Sequence, residues 1–109
     1  MSDLTASEIF NEEMPAKLEK NAASVKTINA VYQFDIDGPT GGSWTVDLTK
    51  DGEFVSAGPH TAPNCTVKMK EEDFVNMWEG KLPGPQAFMM GKLKVSNLGL
   101  ATQLQKILA

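Results

Sequence analysis

The sequence contains no arginine, a single histidine (His60), a single cysteine (Cys65) and no run of about 18 apolar residues, the length a membrane-spanning helix requires. Its basic charge is carried by ten scattered lysines against 14 acidic residues, for a net charge of -4. That balance argues against a phosphate backbone as the main partner, because nucleic-acid binding draws on clustered Lys and Arg. One cysteine cannot close an internal disulfide, so a reducing cytoplasm is the expected compartment. Cys65 and His60 together supply two of the four ligands that a structural zinc needs, so no metal site is expected. Nor do they form a catalytic pair: a reactive thiolate requires a base or an electropositive setting, and His60 stands in a proline-rich loop with nothing to hold it. No catalytic residue and no cofactor is therefore expected, and the protein reads as a non-enzyme. The first residues, MSDLTASEIF, are acidic where a secretory signal is basic and lack a continuous apolar core. The last, QKILA, are not a peroxisomal address of the SKL type.

What is present is enough for one domain over residues 1–109. A chain of this length buries roughly two-thirds of its unfolded surface and needs no covalent staples. The 41% hydrophobic, 22% charged composition, with nine glycines and six prolines, is that of a globular domain. The most informative stretch runs from Glu71 to Val95, where Met77, Met89 and Met90, with Met69 just before, accompany Phe74, Trp78, Leu82 and Phe88. Thioether side chains are unbranched and polarizable, so such a lining adapts to a greasy ligand of variable shape. An ordinary core patched with methionine has the same composition.

In chain order, Phe10, Met14 and Leu18 recur every four residues and predict a helix from Asp3 to Lys20. Ser2, Asp3, Thr5 and Ser7 all offer N-cap oxygens, and Pro15 predicts a kink or a fresh helical turn. The exposed face is acidic, with Glu8, Glu12, Glu13 and Glu19 outnumbering Lys17 and Lys20. From Asn29 to Leu48 the period changes to two: Ala30, Tyr32, Phe34 and Ile36 share one face of a strand, and Trp44, Val46 and Leu48 share one face of the next. The loop Asp37 to Gly42 makes these a hairpin. A turn of the Asp-Gly type at Lys50-Asp51-Gly52-Glu53 leads into a short third strand beginning with Phe54 and Val55. Cys65, Val67 and Met69 alternate with Thr66, Lys68 and Lys70 as a fourth strand.

Glu71, Glu72 and Asp73 then open a helix on which Phe74, Met77 and Trp78 share a face, and Gly80 stops it before Pro83. Gln86 to Met90 can form one or two helical turns, and Lys92 to Ser96 a fifth strand. Asn97 to Ala109 predicts a helix capped by Ser96 or Asn97, with Leu100, Leu104, Ile107 and Leu108 on one face. The order predicts an α+β fold with a five-stranded, mainly antiparallel sheet covered by helices on one face.

The segments YQFDIDG, GGSWTVDL and NCTVKMKEEDF, and above all GKLPGPQAFMMGKLKVSNLGLATQLQKIL, resemble the sterol carrier protein type 2 family of lipid-binding domains from about Ile9 to Leu108. The resemblance implies an apolar tunnel between sheet and helices that takes sterols, fatty acids, acyl-CoAs or phospholipids, without catalytic machinery. Carried over residue by residue, it assigns Phe74, Met77, Trp78, Leu82, Phe88, Met89, Met90, Leu98, Leu100 and Leu104 to the cavity or its mouth. Many family members have a polar Gln where this chain has Met90, which implies a drier deep end of the cavity. The N-terminal helix that docks animal members to membranes is basic there and acidic here, which argues against docking to anionic membranes through it. The missing peroxisomal tail fits a stand-alone bacterial member in the cytoplasm. Two functions follow as alternatives: a free lipid carrier that touches membranes transiently, or an accessory subunit that presents a hydrophobic metabolite to a partner enzyme.

Overall fold

The computed structural model describes residues 5–39, 41–50, 52–59 and 62–108, the side chains of 105–108 excepted. His60 and Asp51 lie outside the described residues, as do the proposed caps Ser2 and Asp3 and the side chains of Ile107 and Leu108.

The expected N-terminal helix is built in three pieces. Helix α1 (Ala6–Glu8) starts at Thr5, whose hydroxyl accepts the Glu8 amide at 3.2 Å. A π-helical stretch, Ile9–Glu13, follows, closed by the Met14 amide donating to the Ile9 carbonyl, and α2 (Met14–Lys20) begins with Pro15 in its first turn. Proline lacks an N–H and its ring clashes with the carbonyl four residues earlier. Widening the helix by one residue just before Pro15 removes that conflict, and the fresh turn expected there takes this form. Phe10, Met14 and Leu18 are buried as their spacing requires, together with Ala6 and Ile9. A second helix in this region, α3 (Ala22–Ile28), was not expected. Its one buried residue is Val25, and it ends at Asn29 in the left-handed conformation (φ 48°), a role asparagine fills at low cost.

Strands β1 (Val31–Asp37), β2 (Gly42–Asp47), β3 (Val55–Ala57), β4 (Cys65–Lys70) and β5 (Leu93–Val95) form a single sheet in the order β3-β2-β1-β4-β5. All neighbours are antiparallel except β1 and β4, which are parallel. The chain leaves β3 at one edge and returns to lie beside β1. Asn64 fixes that return, because its amide donates to the Val31 carbonyl and its Oδ1 accepts the Val31 amide, both at 2.8 Å. The β1–β2 hairpin turns at Gly41, where a Cβ would stand 2.2 Å from the Ile36 carbonyl oxygen, so no larger residue fits. In the next turn the left-handed residue is Glu53 (φ 51°), and β3 starts at Val55, one residue later than its alternation suggests.

The expected inward residues of β1, β2 and β4 are buried: Ala30, Tyr32, Phe34 and Ile36; Trp44, Val46 and Leu48; Cys65, Val67 and Met69. The opposite face of the sheet is polar. Ser43 donates to Asp35 at 2.8 Å there, and Lys68 faces Lys94 across β4 and β5. This is the α+β architecture expected, with helices on one side only.

Candidate functional site

Three further helices complete the layer over the sheet: α4 (Glu71–Trp78), α5 (Gly84–Met89) and α6 (Leu98–Leu108). Helix α4 begins after Lys70, which gives it no side-chain cap, and carries Glu71, Glu72 and Asp73 in its first turn, where their negative charge complements the positive end of the helix dipole. Glu71 Oε2 also accepts the Ala6 amide at 3.0 Å and so ties the start of α1 to the start of α4. Phe74, 2% exposed, is driven into the core. Its ring stacks on Phe10 (centroids 5.0 Å apart, planes at 2°), and Phe10 in turn stacks on Trp44 at 4.5 Å and tilts against Phe34 at 5.2 Å. These four rings fill the space between sheet and helices with close aromatic contact.

Around this cluster the expected site residues separate into two groups. Met77, Trp78 and Leu100 are half-buried and pack against the core, while Leu82 and Leu104 are buried. Phe74 and Leu104 belong to the hydrophobic core, and Met77, Trp78 and Leu100 pack against it at its rim. Trp78 is covered from outside by the ammonium of Lys17, 5.2 Å from its ring centroid. Phe88, Met89, Met90 and Leu98, by contrast, are surface residues, 42%, 86%, 53% and 52% exposed. The placement of Met90 at a deep end of a cavity is thereby corrected. The α5 residues that are buried are Gly84 and Ala87, and Met90, the C-cap, follows them with its thioether outside before Gly91 (φ 75°) turns the chain away.

Helix α6 is held by side chains of the sheet beneath it. Asn97 Oδ1 accepts the Leu100 amide at 3.1 Å, confirming it as the N-cap. Tyr32 Oη donates to the Leu100 carbonyl at 2.6 Å, and Cys65 Sγ contacts the Asn97 carbonyl at 3.4 Å. Burial pushes the Tyr32 hydroxyl far above its ordinary value, with a smaller push from Cys65. Burial likewise raises the Cys65 thiol, outweighing the opposing hydrogen bonds from Asn97 and Ser96. Both groups stay protonated at neutral pH, as their donor roles require. Among the described residues, no group of three or more His, Cys, Asp or Glu side chains could hold a metal ion. No described helix is long and apolar enough to cross a membrane.

Sequence reasoning missed four contributors. Phe10, Phe34 and Trp44 share the apolar layer with Phe74, and their inward periodicity was the available signal. Tyr32 is the tether of α6, a role that a lone tyrosine in an alternating strand does not announce.

An open five-stranded sheet with β1 and β4 parallel, roofed on one face by short helices over an aromatic floor, defines the class of the sterol carrier domains. The chain belongs to the SCP-2 sterol transfer family, whose model matches residues 10–109. It is 42% identical over 86 residues to hydroxysteroid dehydrogenase-like protein 2 from Bos taurus, covering 77% of this chain and 21% of that protein. It is also 41% identical over 102 residues to peroxisomal multifunctional enzyme A of Dictyostelium discoideum, covering 91% of this chain and 23% of that one. The chain thus spans about a fifth of the length of these relatives. Among solved structures, sterol carrier protein 2 from Yarrowia lipolytica in its apo form superposes with a TM-score of 0.70 at 30% identity, covering 93% of this chain and 81% of that one. Palmitated SCP2L2 from Aedes aegypti superposes with a TM-score of 0.75 at 25% identity, covering 96% and 95%.

Proposed function

We propose that the domain binds a lipid chain in the apolar layer between sheet and helices and carries it, without catalysing a reaction. The observation that carries this reading is the apolar layer: Phe74 and Leu104 in the aromatic-rich core and Met77, Trp78 and Leu100 packed against it, with no polar constellation among them, in a fold shared with a palmitate-bearing relative. Loading parts these side chains, and the half-buried Met77 and Trp78 at the rim are the ones free to move. Burying about twelve methylenes at roughly 0.8 kcal/mol each gives near 10 kcal/mol gross. Association and chain ordering cost on the order of 4 kcal/mol or more. The remainder, about 6 kcal/mol, corresponds to a dissociation constant of tens of micromolar, suited to reversible loading. The free, buried Cys65 suits a reducing compartment such as the cytoplasm.

A second reading has its own support. The curated relatives are several times longer than this chain, and one is named a dehydrogenase-like protein. A domain of this kind can serve a partner enzyme by presenting a hydrophobic metabolite. Native mass spectrometry of the protein purified from its own host separates the two. A copurifying lipid with no bound protein supports the carrier, a lipid with an enzyme supports the accessory role, and failure to bind palmitate or any other acyl or sterol ligand up to its solubility limit overturns both.

A further inference from the structure

Phe88, Met89 and Met90 are consecutive, large and exposed, at the end of the six-residue α5 whose Ala87 anchors it to the core. Successive helical positions point about 100° apart, so three in a row form a splayed crown and not a stripe. A groove on a protein partner takes a stripe at i, i+3 and i+4. A crown suits a medium that closes around it from every side, which is what the acyl boundary of a bilayer does.

Charge points the same way. Lys81, just before α5, and Lys92, just after Met90, bracket the crown. Each has an acidic neighbour, Glu79 at 3.3 Å and Asp73 at 3.7 Å, but the lysine side chains are 62% and 42% exposed while the acidic side chains are 17% and 14% exposed. The lysine side chains therefore stand further out than the acidic side chains paired with them. The acidic Glu12, Glu13 and Glu19, exposed on the N-terminal helices, are unsuited to an anionic surface.

We propose that α5 docks the protein on an anionic bilayer, with Phe88, Met89 and Met90 entering the headgroup–acyl boundary and Lys81 and Lys92 engaging lipid phosphates. The proposal rests on the lipid-carrier reading and gives it a point of exchange with the bilayer. The test is flotation of the full chain with vesicles of equal parts phosphatidylglycerol and phosphatidylcholine, and with phosphatidylcholine alone. The unaltered protein floats with the mixed vesicles and much less with the neutral ones. Met89→Glu weakens flotation about tenfold, and Lys81→Gln and Lys92→Gln each weaken it roughly fivefold. Met89 is so exposed that Met89→Glu keeps the fold, which its circular dichroism spectrum checks. Absence of flotation by the unaltered protein overturns the proposal, as does flotation that Met89→Glu leaves unchanged. A dimer in sedimentation that Met89→Glu makes monomeric, without flotation, also overturns it by assigning the crown to self-contact. Palmitate binding by the unaltered protein without vesicles is measured separately: binding without flotation overturns the docking alone, and flotation without binding keeps the docking and overturns the carrier reading.

Discussion

The Tyr32 hydroxyl donates a 2.6 Å hydrogen bond to the backbone carbonyl of Leu100, joining the central strand β1 to the first turn of α6 across 68 residues of chain. The bond connects the floor of the apolar layer to one of its walls. Tyr32→Phe keeps the ring and removes the donor, leaving the Leu100 carbonyl to find water or stay unpaired. Stability is expected to fall by about 1 to 2 kcal/mol in urea unfolding, with the denaturant slope unchanged. An unchanged midpoint means that packing and the remaining contacts, not this bond, hold α6.

A dependence on alkaline pH follows from the same region. In the unfolded chain the Cys65 thiol and the Tyr32 hydroxyl ionise at their ordinary values of 9.0 and 10.0, whereas in the folded protein burial keeps both protonated to higher pH. The stability they contribute is therefore fully present below pH 9 and is lost as pH rises through 9 and 10 toward the folded values. The loss approaches about 1.4 kcal/mol per pH unit for each group. Urea midpoints between pH 7 and pH 10.5 check this, and Tyr32→Phe should flatten the curve above pH 10. An equal slope in the variant assigns the alkaline loss to other groups.

Met90→Gln is expected to change stability by no more than about 0.5 kcal/mol, because the side chain is 53% exposed and an amide there meets solvent. The measurement is a pair of melting curves. A loss of about 1 to 3 kcal/mol, the cost of an unpartnered buried amide, places Met90 back inside a cavity.

The strands were legible in the sequence because their alternation is strict: one buried face in β1, β2 and β4 leaves no second register that buries the same side chains. The sharp helix ends were legible too, since Gly80 and Asn97 each have one local job. The split of the first helix was only half legible. Pro15 signals a conflict, but whether a helix kinks, breaks or widens is decided by what it packs on, here Phe10 against Trp44 and Phe74. Helix α3 escaped notice because one buried residue, Val25, leaves no period to count. The site was legible as composition and not as geometry. Phe74 and Met90 look alike in an apolar run, yet Phe74 faces the core from α4, whereas Met90 ends the short α5, whose buried positions are Gly84 and Ala87, and stays outside.

The two tryptophans give the most direct reading of the proposed site, since they stand at different depths. Trp44 is 7% exposed and stacked on Phe10 at the floor, whereas Trp78 is half-buried at the rim, between the apolar layer and the Lys17 ammonium. A lipid chain that parts Met77, Trp78 and Leu100 must change the surroundings of Trp78, including its contact with Lys17, before it reaches Trp44. Palmitate titrated into Trp44→Phe, which retains Trp78, should therefore shift and change the emission strongly. In Trp78→Phe, which reports Trp44, the change should be smaller. Trp78→Phe conserves an aromatic at a half-buried site and should leave the fold intact. A larger response from Trp44 than from Trp78 would move the binding layer away from the α4 rim and down between Phe10 and the sheet.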